Sequence, residues 1–152
     1  MTVTWSWLTT AITKKRIPQT IHTYASFQPF EVGPFKITPY LTDHSAFDAH
    51  MLLVEVGSRR ILYSGDFRRT GRKSSLVDCL LRTPPRDVHV LLLEGTTLGR
   101  TEGFPTEQDL EDRFAAVFRE TPGRVFVSWS AQNIDRLVSI YRACKMTGRT
   151  LV

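Results

Sequence analysis

The stretch His50-Met-Leu-Leu-Val-Glu-Val-Gly-Ser-Arg-Arg-Ile-Leu-Tyr-Ser64 decides how the first half of the chain folds. Two apolar runs, residues His50–Val56 and 60–64, are interrupted by Gly57-Ser58-Arg59. A short glycine-containing break between strand-like runs predicts a β-hairpin. Upstream, residues 27–32 and Phe35–Leu41 flank the turn dipeptide Gly33-Pro34 and predict a second hairpin. The first part therefore reads as consecutive antiparallel strands. Before it, residues 5–13 read as a short helix.

Downstream the pattern changes. Leu76, Leu80 and Leu81 recur at helical spacing in Ser74–Arg82, and Pro84-Pro85 stops that helix. Residues 88–93 form a continuous apolar run, the pattern of a strand covered on both faces. Thr106 and Asp109 match a capping box, followed by an apolar stripe of Leu110, Phe114, Val117 and Phe118. Pro122-Gly123 ends that helix, residues 124–128 read as a strand, and Ile134, Leu137, Val138 and Tyr141 mark another helix. Gly148 closes it and residues 150–152 begin a further strand. Strand and helix alternation of this kind predicts a parallel sheet with right-handed crossovers, so the fold class is α/β with an α+β first part.

A chain of 152 residues suits one domain or pieces of two. A hydrophobic content of 41% excludes a disordered chain. No apolar run reaches the roughly 20 residues of a membrane span. At the N-terminus, apolar residues precede Lys14-Lys15-Arg16, the reverse of a signal peptide, and the expectation is a cytoplasmic protein with no membrane partner. Cys79 and Cys144 both fall in helical stretches and read as buried free thiols. The formal net charge is +5, and fifteen of the twenty Lys and Arg residues are Arg, whose planar fork suits phosphate. That balance favours a polyanionic partner, although many soluble proteins are as basic.

Three segments place a candidate ligand just after an apolar strand: Leu41-Thr-Asp-His44-Ser45, Tyr63-Ser-Gly-Asp66-Phe67 and Leu92-Leu-Glu94-Gly95. Strand ends project side chains from a rigid scaffold, and His and carboxylate are donors that zinc accepts. Each residue also has a plainer reading. His44 suits a turn cap, Asp66 suits a tight turn after Gly65, and Glu94 suits the cap of its own loop. Arg68, Arg69, Arg72 and Lys73 follow Asp66 closely. They suit either a phosphodiester path beside a metal site or a solvated loop.

Thr42-Asp43-His44-Ser45-Ala46-Phe47-Asp48 resembles the third metal-binding motif of metallo-β-lactamase-fold nucleases of the ribonuclease J type. Tyr63-Ser64-Gly65-Asp66-Phe67-Arg68 resembles the fourth, whose Asp bridges two metals. Leu92-Leu93-Glu94-Gly95-Thr96-Thr97 resembles the acidic motif that opens a β-CASP region, as in polyadenylation endonucleases. The stretch from Arg124 to Leu137 is similar to the first strand and helix of that region. This resemblance implies part of an αββα metallo-β-lactamase sandwich in residues 1–94, running into a βαβαβ β-CASP-like region in residues 95–152. It also implies a zinc-dependent phosphodiesterase acting on RNA, with His44 and Asp66 as metal ligands and Asp66 and Glu94 as catalytic groups. Arg68, Arg69, Arg72 and Lys73 would then contact nucleic acid.

The family's His-x-His-x-Asp-His motif is absent: the histidines are His22, His44, His50 and His89, and no two are separated by one residue. The resemblance puts that motif before Met1 and two further histidines after Val152. Two matched ligands are fewer than zinc sites use. The expectation is an incomplete two-metal site, inactive alone, whose apolar edges favour a homo-oligomer or a complementing polypeptide. The alternatives are a hydrolase of the same fold acting on a substrate other than nucleic acid, and a catalytically inactive fragment. His50 reads as structural, and His22 and His89 carry no assigned role.

Overall fold

The computed structural model describes residues 22–152, so the expected helix at residues 5–13 lies outside the described residues. Five strands form one sheet in sequence order: β1 (Phe30–Val32), β2 (Phe35–Leu41), β3 (His50–Val56), β4 (Arg59–Tyr63) and β5 (Val90–Leu92). Among the described residues three helices accompany the sheet: α1 (Ser74–Arg82), α2 (Glu107–Glu120) and α3 (Ile134–Thr147). The architecture is mixed α/β, as the sequence implies.

Both hairpins form. β1 to β4 pair antiparallel, with Ile37 opposite Val54 and Val54 opposite Ile61. The second hairpin is tighter than expected: Val56 pairs with Arg59, leaving Gly57-Ser58 as the turn. Gly57 has φ +54, a positive value that glycine adopts without strain and that tight hairpin turns use. β1 is shorter than the expected 27–32. Phe27 adopts φ +63 and donates its N–H to Pro39 O at 2.7 Å, a turn that delays the strand.

The apolar run at 88–93 corrects the reading of a strand covered on both faces. Among the described residues β5 pairs with β4 alone, in parallel, and Val90, Leu91, Leu92 and Leu93 are 44–61% exposed. In the rest of the sheet Met51 and Leu53 of β3 alternate inward and are buried, as is Val77 of α1.

The main apolar cluster lies between α2 and α3: Ala115, Phe118, Ile140, Ala143 and Cys144. The capping box forms as read, with Thr106 Oγ1 accepting from Asp109 N at 3.1 Å and Asp109 Oδ2 accepting from Thr106 N at 2.8 Å. Asn133 caps α3, and Gly148 closes it at φ +69. The strands expected at 124–128 and 150–152 do not join a ladder among the described residues. Burial still alternates at 124–128: Val125 and Val127 pack on the helix-pair core, while Phe126 is 91% exposed. The period of two is present, but no neighbouring strand is there to pair, so the expected parallel sheet of the second half is absent among the described residues. Cys144 is buried as expected, but Cys79 is exposed; both are free.

Candidate active site

Strand register brings the three candidate segments to one end of the sheet. Leu41 pairs with His50, Leu52 with Tyr63, and Tyr63 with Leu92, so β2, β4 and β5 all finish beside the start of β3. The loops that follow them carry His44, Asp66 and Glu94. Sequence pattern alone predicted three strand ends; the register makes them neighbours.

Each loop is tied down near its candidate residue. Thr42 N donates to Ala49 O at 2.9 Å, closing the loop that holds His44. Ser64 N donates to Leu92 O at 2.9 Å, and Glu94 N donates to Ser64 Oγ at 3.2 Å, which joins the Asp66 and Glu94 loops. Between them Gly65 adopts φ +55 against the carbonyl of His50, a position strained for any side chain.

His44 Nε2 lies 4.0 Å from Asp66 Oδ2, with the imidazole partly exposed and the carboxylate open to solvent. Glu94 Oε1 accepts from Phe67 N at 3.4 Å and Oε2 from Thr96 Oγ1 at 2.7 Å. The Thr96 hydroxyl leads in holding the Glu94 carboxyl below its ordinary pKa; desolvation opposes it, and the Phe67 N–H and the charge of His44 add to the lowering. Glu94 is therefore an ionised acceptor near neutral pH. His44 and Asp66 open onto a cleft of about 480 Å³ that His22, Asp48, His50 and Gln132 also line. His50 is structural: Nε2 bonds Ser26 Oγ at 2.7 Å and Nδ1 bonds Asp48 O at 3.0 Å. His89 Nδ1 accepts from Arg60 N at 3.2 Å. Among the described residues no three His, Cys, Asp or Glu side chains converge as a metal-binding group.

The basic cluster after Asp66 has internal partners. Arg68 reaches Asp135 at 2.5 Å, Glu107 at 3.4 Å and Asp43 at 3.8 Å. Arg72 reaches Glu111 at 2.6 Å and Ser139 Oγ at 3.0 Å. Lys73 Nζ donates to Ala46 O at 3.1 Å and Phe47 O at 2.7 Å. Arg69 pairs with Asp78 at 2.5 Å, and its side chain is 60% exposed.

The carboxylates opposite them escaped sequence reading. Asp43 is fully buried and accepts from Gly71 N at 2.7 Å. A Cβ on Gly71 would collide with Asp43, Arg68 and Asp135, so the chain passes there without a side chain. Glu107, Glu111, Asp135 and Ser139 are buried on α2 and α3. Burial pushes the Glu107 carboxyl up, but the Arg136 and Ser139 hydrogen bonds and the charges of Arg136 and Arg68 outweigh it and hold the pKa below its ordinary value. Acids in a first helical turn normally complement the helix dipole at the surface, so nothing in their spacing signals burial.

No helix among the described residues is long and apolar enough to cross a membrane. No family model matches the chain. It is 34% identical over 121 residues to ribonuclease J of Mycoplasma pneumoniae, a match that covers 77% of this chain and 21% of that protein. Ribonuclease J of Helicobacter pylori is 28% identical over 113 residues, covering 72% and 16%. Ribonuclease J of Mycobacterium tuberculosis is 29% identical over 122 residues, covering 77% and 22%. The chain thus spans about a fifth of the curated relatives it matches. In three dimensions it is similar to a protein of unknown function from Enterococcus faecalis, with a TM-score of 0.69, 18% identity, and coverage of 86% of this chain and 35% of that one.

Proposed function

Taking as premise that the chain is ribonuclease J-like over about three quarters of its length, we propose that it forms part of a metal-dependent phosphodiesterase acting on RNA. In this reading residues 1–94 belong to a metallo-β-lactamase-like part and residues 95–152 to a β-CASP-like part. One observation carries the reading: the residues of three motifs, in their expected order, meet at one sheet end with His44 Nε2 and Asp66 Oδ2 4.0 Å apart.

Imidazole nitrogen and carboxylate oxygen both bind zinc at about 2.0–2.2 Å, so a tetrahedral ion takes the two donors about 3.3–3.6 Å apart, a closure of about half an ångström from the 4.0 Å seen here. The pair fits as two members of a donor set rather than as a closed one. Zinc held there would supply a hydroxide nucleophile near neutral pH and offset charge on a phosphodiester. His44 and Asp66 would hold and orient the ion. Glu94, ionised and anchored by Thr96, accepts a hydrogen bond and orients its donor instead of delivering a proton itself.

The test is zinc titration of the full chain followed by dialysis. The expected result is saturable zinc binding that weakens at least about tenfold in both His44→Ala and Asp66→Ala. Background zinc, or binding that survives both substitutions, overturns the reading that this chain's own residues hold the metal.

A second reading has its own support. The inward commitment of Arg68 and Arg72 removes two cations from a phosphodiester path, which favours a substrate other than nucleic acid. Single-stranded RNA binding that weakens steeply with added salt supports the RNA reading; salt-insensitive binding supports the rival.

A further inference from the structure

We propose that Asp43, Arg68, Glu107 and Asp135 form a positioning network, through which the α2–α3 pair sets the placement of His44 and Asp66. The proposal rests on the metal-site reading for its purpose, but its geometry stands without a metal.

Four buried carboxylates, Asp43, Glu107, Glu111 and Asp135, face the guanidinium groups of Arg68, Arg72 and Arg136, with Arg142 3.9 Å from Glu111 at the margin. A buried charge is costly unless paired, and a buried ion pair adds little net stability over apolar packing of the same volume. Such a cluster fixes geometry better than it strengthens a fold.

What it fixes is specific. Arg68, two residues after Asp66, donates its backbone N–H to the carbonyl of Asp43, the residue before His44, at 2.7 Å. Ile134, at the start of α3, donates its N–H to the carbonyl of Ser45, the residue after His44, at 3.2 Å. Lys73 holds the next two carbonyls. His44 is therefore held by the chain on both sides, once from the Asp66 loop and once from α3. The Arg68 guanidinium then spans to Asp135 and Glu107, 67 and 39 residues away. Glu107 adds a backbone tie, its N–H donating to Thr70 O at 2.9 Å. The helix pair thus reaches the candidate loops through the Arg68 and Arg72 guanidinium groups and two backbone hydrogen bonds.

The experiment is NMR on the metal-free full chain, reading the His44 ring signals together with amide hydrogen exchange. In Asp135→Asn the expected result is displaced or broadened His44 ring signals. Exchange at the Arg68 and Ile134 amides should accelerate at least about tenfold, while Ala143 and Cys144 in the helix core keep their protection. Arg68→Lys, which keeps the charge but loses the fork, should do the same, with a smaller displacement. Unchanged His44 signals in both variants overturn the proposal. So does acceleration spread equally over Ala143 and Cys144, or loss of the fold in both variants, since either assigns the network to stability alone. Because no metal is added, a failed zinc titration overturns the functional reading without deciding this one.

Discussion

The sheet and the helix pair are built on opposite plans. The sheet is specified by local chemistry, with glycine turns, alternating strands and a register that follows from them. Among the described residues its buried apolar side chains are few, chiefly Met51 and Leu53, and its β5 edge is open. The helix pair buries a contiguous apolar cluster and backs it with the ion network that runs to the sheet loops. The candidate ligands sit on loops at the end of the sheet, yet part of the constraint on those loops comes from the helices. A site can therefore be encoded in one region and held in place by another.

This contrast can be broken at several points. Phe118→Ala should cost the most, about 3–5 kcal/mol by chemical denaturation, because it empties the centre of the helix-pair core. Arg68→Met should cost about 3 kcal/mol or more, since Asp43, Asp135 and Glu107 would lose a shared cation while staying buried. Acid should act on the same junction. Glu107 has a depressed folded pKa, so its contribution is present above its ordinary value of 4.5 and is lost as pH falls through the folded value. Hydrogen exchange measured from pH 5 to pH 3 should then show the α2–α3 junction loosening before the β2–β3 hairpin. Thr106→Ala removes the α2 cap and should cost about 1 kcal/mol. Leu92→Ser, on the exposed edge strand, should change stability by only about 0.5 kcal/mol. A large loss at Leu92 with little at Phe118 would invert the comparison.

Elements with local causes were legible in the sequence. Gly33-Pro34, the Thr106–Asp109 box and Gly148 each specify backbone geometry within a few residues and appear where read; the Gly57 turn appears too, one residue shorter than the Gly57–Arg59 loop expected. Elements that depend on a distant neighbour were not. Residues 124–128 keep strand-like alternation, but a ladder needs a partner that spacing cannot supply. The run at 88–93 could not reveal whether its faces would be covered. The site divides the same way. His44, Asp66 and Glu94 were visible as strand-end residues, and the register explains why they meet. Asp43, Glu107 and Asp135 were invisible, because a buried acid and a surface acid look alike until their arginines are located. Arg68 and Arg72 show the other side of that limit: read as a surface cluster after Asp66, they turn inward.

The central claim is that His44 and Asp66 are ligands of one cation held at the end of the sheet. Anomalous diffraction at the zinc edge from crystals of the chain grown with zinc tests it most directly. The predicted result is a peak within about 2.2 Å of both His44 Nε2 and Asp66 Oδ2. A peak at His22 or His50 instead, or none in the cleft at saturating zinc, would contradict it.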